Sequence, residues 1–179
     1  RTGMSVSNLC LGTMMFADQT ELSHARSIVA HAREHGVNFI DTADVYSTGG
    51  SETMVGELLR GDRDSWVLAT KIGNNMSDKQ NESHYSRAWM MREVEASLAR
   101  LSTDYIDIYY LHRDYNGMDL EEPLRAIDAL LRAGNIRSWG VPNFRGGRNA
   151  GVSHLARYAN VAGPGARRPH PDLADTRPG

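Results

Sequence analysis

The sequence predicts an α/β protein in which parallel strands alternate with covering helices, and three observations carry that expectation. Short apolar runs and helix-like stretches follow one another five times along a chain of 179 residues. The apolar runs are nearly continuous rather than alternating, as in strands covered by helices on at least one face. The stretches between them place apolar residues at helical spacing, and several close on glycine.

Taken in order, "LCLGTMMF" (9–16) is the first strand-like run, with a Gly-Thr inside it. "ELSHARSIVAHAREHG" (21–36) sets Leu22, Ala25, Ile28, Val29 and Ala32 on one helical face, with Gly36 where a C-terminal cap belongs. "VNFID" (37–41) is the second strand and "SETMVGELLRG" (51–61) a short helix closed by Gly61. "WVLATKIG" (66–73) is the third strand, and "SRAWMMREVEASLARL" (86–101) a helix that Ser86 caps. "YIDIYYLH" (105–112) is the fourth strand. "DLEEPLRAIDALLRAG" (119–134) opens with Asp119 three residues ahead of Glu122, a capping-box pattern, and ends on Gly134. "IRSWGVPNF" (136–144) is the fifth strand, and "GRNAGVSHLARYAN" (147–160) a weaker helix interrupted by Gly151.

Five βα units fit either a doubly wound sheet or a (β/α)₈ barrel. The first architecture is usually marked by a glycine-rich phosphate turn after strand one. Here "MMFADQTE" stands in that place, which lowers the doubly wound reading. From about Asn160 the composition changes: "NVAGPGARRPHPDLADTRPG" holds most of the prolines and no apolar periodicity. The expectation is a folded unit over 1–159 and an irregular or disordered tail over 160–179. The abrupt switch to Gly, Pro, Ala and Arg also suggests an out-of-frame segment. Reading the coding DNA in the other frames beyond Asn160 tests that idea.

Composition excludes several classes. A hydrophobic content of 40%, 23% charged residues and a net charge of −2 describe a soluble globular protein, with no electrostatic case for nucleic acid or an anionic membrane. The single cysteine, Cys10, excludes an internal disulfide, suits a reducing cytoplasm and reads as a small buried apolar residue rather than a nucleophile. No apolar run spans a bilayer, the first residues lack a signal-peptide core, and the absence of an initial Met suggests a clipped N-terminus.

Chemistry in barrels gathers at the carboxyl ends of the strands. The polar residues there are Thr13, Asp41, Lys71, His112 and Asn143, with Tyr46 in the loop just after Asp41. A free tyrosine has a pKa of about 10, too high for brisk proton donation at neutral pH. An adjacent lysine ammonium favours the phenolate, and a carboxylate holds that lysine charged against desolvation. His112 adds a hydrogen bond to a substrate carbonyl and a share in proton delivery. Such a set suits protonating a carbonyl oxygen while a separate donor supplies hydride. Singly, each residue has a bland reading: a structural ion pair, a bonded core histidine, loop packing. Four at successive strand ends are harder to attribute to structure.

These blocks resemble the aldo-keto reductases. "LCLGTMMF", "GVNFIDTADVYSTGGSE", "WVLATKIG", "LARLSTDYIDIYYLHRD" and "GNIRSWGVPNF" match that family's blocks in order and spacing over roughly residues 1–159. The resemblance implies a TIM (β/α)₈-barrel type fold, of which this chain holds the first five βα units. It implies NADPH-dependent reduction of an aldehyde or ketone, with Asp41, Tyr46, Lys71 and His112 as the tetrad and Tyr46 as general acid. It also places Gly12, Thr13, Asp41 and Asn143 around the nicotinamide end of NADPH. Where the family has Ser-Asn, this chain has Pro142-Asn143, without the hydroxyl and without one backbone donor. The family seats the cofactor's phosphates on segments after the fifth unit, which have no counterpart here. Two readings follow: a working reductase on a small-molecule carbonyl substrate, or a truncated non-catalytic remnant acting as a binding or assembly module. Open sheet edges predict self-association in either case.

Three smaller signals remain. His31 and His35 lie one helical turn apart, but "HAREH" reads as lacking a third ligand and the pair suits the helix C-terminus, so no metal is expected. Trp89, Met90 and Met91 belong to the core. The polar loop 74–86 lies on the active-site face, where it bears on substrate choice.

Overall fold

The computed structural model describes residues 3–74, 76, 84–115, 118–144 and 152. Five parallel strands form one sheet: β1 (Leu11–Gly12), β2 (Phe39–Asp41), β3 (Val67–Ile72), β4 (Ile106–Leu111) and β5 (Ile136–Gly140). Their order in the sheet is their order in the chain. A doubly wound sheet reverses direction at a switch point, whereas a barrel adds each strand beside the last, so this order selects the barrel-type architecture. Each βα connection therefore returns the chain to the same edge, and every strand's carboxyl end points to one rim.

The helices are α1 (Leu22–Glu34), α2 (Gly50–Leu58), α3 (Arg87–Leu101) and α4 (Glu121–Ala133), with a 3₁₀ turn at Tyr46–Gly49. Ile40, Leu68, Ile72, Tyr109 and Trp139 of the sheet are buried in one core with Val55, Met90, Val94 and Ile127 of the helices. Trp89 and Met90 are buried as expected, and Met91 packs against the same core. Gly56 sits inside α2 because a Cβ there would stand 2.6 Å from the Arg100 carbonyl oxygen of α3. The two helices approach backbone to backbone at that point.

The expected caps are partly realised. Ser86 Oγ accepts from Trp89 N at 3.3 Å. The C-terminus of α1 closes through Gly36 N to Arg33 O and Val37 N to Ala32 O. The capping box on α4 does not form. Asp119 accepts from Glu121 N at 3.0 Å, while Glu122 reaches across to accept from Arg87 N at 2.8 Å. Glu122 therefore caps α3 instead of its own helix, satisfying one of that helix's free donors.

Strands are shorter than their apolar runs, most of all β1. After Thr13, whose N donates to Asp41 O at 3.0 Å, the chain leaves the ladder, with Phe16 N donating to Thr13 O at 3.0 Å. Among the described residues β1 has β2 as its only strand neighbour, so nothing on its outer side extends the pairing. Cys10 is exposed, contrary to the expected burial, because it lies just before that short strand. Its thiol is still pushed up to about 11, by desolvation first and then by Asp41, which disfavours the nucleophilic thiolate. The expected helix at 147–160 and the tail at 160–179 lie outside the described residues, apart from Val152, which is helical and buried.

At the amino ends of the strands Asp107 is 3% exposed. It accepts from Arg63 at 2.7 Å, Arg137 at 3.0 Å and Leu68 N at 3.0 Å. That buried carboxylate ties β3, β4 and β5 together on the side of the sheet opposite the strand carboxyl ends. No helix among the described residues is long and apolar enough to cross a membrane.

Candidate active site

Two extensions of the strand ladder build the site. Past the end of β2, Thr42 N donates to Ala69 O and Asp44 N to Lys71 O, so the chain stays beside β3 until the turn that carries Tyr46. Past the end of β4, His112 N donates to Ile72 O at 2.8 Å. The two extensions end on Lys71 and Ile72, the last two residues of β3.

Lys71 is 7% exposed. Its Nζ donates to Asp41 Oδ1 at 2.5 Å, to Thr42 O at 2.8 Å and to the Tyr46 hydroxyl oxygen at 3.1 Å. All three ammonium hydrogens thus have acceptors, which offsets the desolvation of a buried cation. Because Lys71 occupies a lone pair of the Tyr46 oxygen, the phenolic proton is directed elsewhere. The rings of Tyr46 and His112 meet edge-on, with centroids 6.1 Å apart. An open cleft of about 520 Å³ between the loops after β1 and β2 is lined by Met14, Ala17, Asp18 and Val45–Thr48, so one flank of Tyr46 borders space for a ligand.

His112 is pushed down to about 4, first by desolvation and then by the charges of Lys71 and Arg113. It is therefore neutral at neutral pH, a hydrogen-bonding group rather than a stored proton. Asn143 is exposed and donates to the His112 carbonyl oxygen at 2.7 Å. Gly12 is exposed at the end of β1, with nothing among the described residues within 4 Å of where a Cβ would stand. Thr13 is fully buried, its Oγ1 3.0 Å from Asp41 O and 2.9 Å from Ser51 Oγ. Its hydroxyl fixes the Asp41 backbone and is not presented to solvent.

The turn after Tyr46 is strained. Ser47 (φ 50°, ψ 35°) and Thr48 (φ 52°, ψ 48°) both lie in the left-handed region. Ser47 Oγ donates to Phe16 O at 3.0 Å, tying the turn to the loop after β1. Gly49 then packs on the Arg100 side chain. A β-branched residue in that region costs about 1 kcal/mol or more. Thr48→Gly is accordingly expected to raise the unfolding free energy by about 0.5–1 kcal/mol. Urea denaturation monitored by circular dichroism measures it, and a loss of stability would contradict the strain.

Sequence reasoning reached Asp41, Tyr46, Lys71 and His112, and the structure brings all four together. It missed the backbone carbonyl of Thr42, the Thr13–Ser51–Thr42 hydroxyl cluster and Asn74, whose amide lies 2.9 Å from His112 Nδ1. Asn74 was signalled by its place, two residues past the end of β3. Elsewhere, Glu34 joins His31 and His35 as a third exposed group with ligand atoms within 4.8 Å of one another, so the histidine pair does not lack a third donor. His35 Nδ1 lies 2.8 Å from His31 O, as a helix C-terminus favours.

Strands laid down in chain order, with a carboxylate, a phenol, an ammonium and an imidazole gathered at their carboxyl ends, define a barrel-type α/β protein with a cluster of titratable groups on one rim. The aldo/keto reductase family model matches residues 8–159, and the chain belongs to that family. It is 39% identical over 150 residues to the aldo-keto reductase YhdN of Bacillus subtilis (80% of this chain, 45% of that protein). It is 32% identical over 176 residues to a probable voltage-gated potassium channel subunit beta of Arabidopsis thaliana (94% and 52%). The solved holo form of an aldo-keto reductase from Bacillus halodurans superposes with a TM-score of 0.76 at 34% identity, over 89% of this chain and 52% of that one. The chain spans about half the length of the relatives it matches.

Proposed function

We propose that this chain carries the proton-transfer half of an NADPH-dependent aldo-keto reductase that reduces an aldehyde or ketone to an alcohol. The observation that supports it best is Lys71 Nζ bridging Asp41 at 2.5 Å and the Tyr46 oxygen at 3.1 Å. When bound, NADPH supplies hydride to the carbonyl carbon. Tyr46 gives its proton to the carbonyl oxygen as the C=O π bond opens. Lys71 stabilises the phenolate left behind, and Asp41 stabilises Lys71 through that step. Neutral His112 donates a hydrogen bond to the same carbonyl oxygen and orients it. The exposed Gly12, with no side chain above it, fits a flat ring lying against the end of β1. Asn143 is the remaining candidate for the carboxamide, beside Pro142. A single cysteine suits a reducing cytoplasm.

Calorimetric titration with NADPH tests the reading. Micromolar saturation supports it, and no saturation at millimolar cofactor overturns it. Tyr46→Phe is expected to lower carbonyl reduction at least about a hundredfold while leaving cofactor affinity within about twofold. Retained turnover would remove Tyr46 from the acid role.

A second reading is a non-catalytic assembly module, favoured by the position of β1 at an edge of the sheet among the described residues. Leu9 (70% exposed) and Met14 (55% exposed) precede and follow the edge strand β1 in the chain. We propose that this edge self-associates. Light scattering that reports a stable monomer would contradict it.

A further inference from the structure

Beyond its ladder bond to Ile72 O, the backbone around His112 is held by side chains from other segments. Gly73 (φ +117°) turns the chain at the end of β3, and a Cβ there would overlap the Tyr85 ring at 2.3 Å. Tyr85 in turn pins the residue after His112, its hydroxyl donating to Arg113 O at 2.8 Å and accepting from Arg113 N at 2.9 Å. Asn143 donates to the His112 carbonyl at 2.7 Å. The backbone of His112 is therefore fixed, and the turn at Gly73 presents Asn74 to its ring.

The Asn74 amide nitrogen lies 2.9 Å from His112 Nδ1. An amide nitrogen offers only hydrogens, so the bond requires a lone pair on Nδ1. A neutral imidazole with its lone pair on Nδ1 carries its one proton on Nε2.

We propose that Asn74 is a positioning residue that locks His112 as the Nε2–H tautomer, so that the imidazole meets a carbonyl oxygen as a hydrogen-bond donor. The opposite tautomer would set the Nε2 lone pair against the lone pairs of the substrate oxygen. This role rests on the carbonyl-reducing reading of the site, but the tautomer is measurable without substrate or cofactor. Burial and the neighbouring cations keep the ring neutral to about pH 4, so the lock operates over the whole neutral range.

The test is imidazole ¹⁵N spectroscopy of the full uniformly labelled chain at neutral pH, with His112→Gln identifying the His112 signals. The expected result is a protonated Nε2 and an unprotonated Nδ1. Asn74→Asp, which offers only acceptors, is expected to move the proton to Nδ1, and Asn74→Leu to give mixed tautomers. In a preparation that turns over, either change lowers kcat about tenfold with KM altered less than threefold. A wild-type ring protonated on Nδ1, or a tautomer unmoved by both substitutions, overturns the proposal. If the chain fails to bind NADPH, the functional reading falls while the tautomer result stands.

Discussion

Replacing Arg100 with methionine is expected to cost about 3–5 kcal/mol of folding free energy, much of the stability of a typical domain. Arg100 Nε donates to Glu52 at 2.7 Å, and its terminal nitrogen donates to Glu93 at 2.5 Å and to Ser97 at 3.1 Å. Glu52 is fully buried and Glu93 is 5% exposed, so loss of the guanidinium strands two carboxylates in the core. Burial works against the Arg100 charge, yet Glu52 and Glu93 together hold its pKa above the usual value. Glu52 also accepts from Thr70 of β3 at 2.6 Å, so α2, α3 and the sheet share this cluster. Gly49 rests on the same arginine, which makes Arg100 the underside of the Tyr46 turn. Urea denaturation of Arg100→Met and Arg100→Lys measures the effect, with lysine recovering part of it. A loss below about 1 kcal/mol for methionine would show that water reaches the carboxylates and replaces the arginine.

The second large effect concerns Asp44, fully buried beneath the same turn. Its Oδ1 accepts from Val45 N at 2.6 Å, and its buried Oδ2 has no hydrogen-bond partner among the described residues. Desolvation, then the charges of Glu52 and Glu93, push it up to about 8. Between the ordinary carboxyl value near 3.8 and about 8, the folded chain holds a proton that the unfolded chain has released. The contribution of this proton is fully present below that range and is lost as pH rises through it, by at most about 1.4 kcal/mol per pH unit. Asp44→Asn keeps the shape and removes the titration. The stability difference between variant and wild type is expected to start near zero at pH 4, grow with pH and level off above 8. Parallel stability profiles across that range would show that Asp44 is ionised in the fold.

Asp44 marks the limit of sequence reading. Three residues apart, Asp41 and Asp44 look equivalent in "NFIDTADVY". One reaches Lys71 at the rim, and the other faces the helix layer beside two glutamates. Thr13 divides in the same way from Gly12, its neighbour. A strand end is legible from composition, but the face on which a given side chain emerges depends on where the ladder stops. Here the ladder runs past β2 to Asp44.

What the sequence determined by itself was the alternation of strands and helices and the placing of Asp41, Lys71 and His112 at carboxyl ends. Parallel βα repetition sends every such end to one rim, so local pattern suffices. Tertiary structure alone decided that Glu122 caps α3, that Thr13 is spent on Asp41, and that Asn74 meets His112 across 38 positions of chain. Each of these contacts joins separate elements, and a hydrogen bond of that kind has no periodicity to announce it. The carboxylate, phenol and ammonium could be named from the chain, but the proton on the imidazole depends on an amide delivered by the fold.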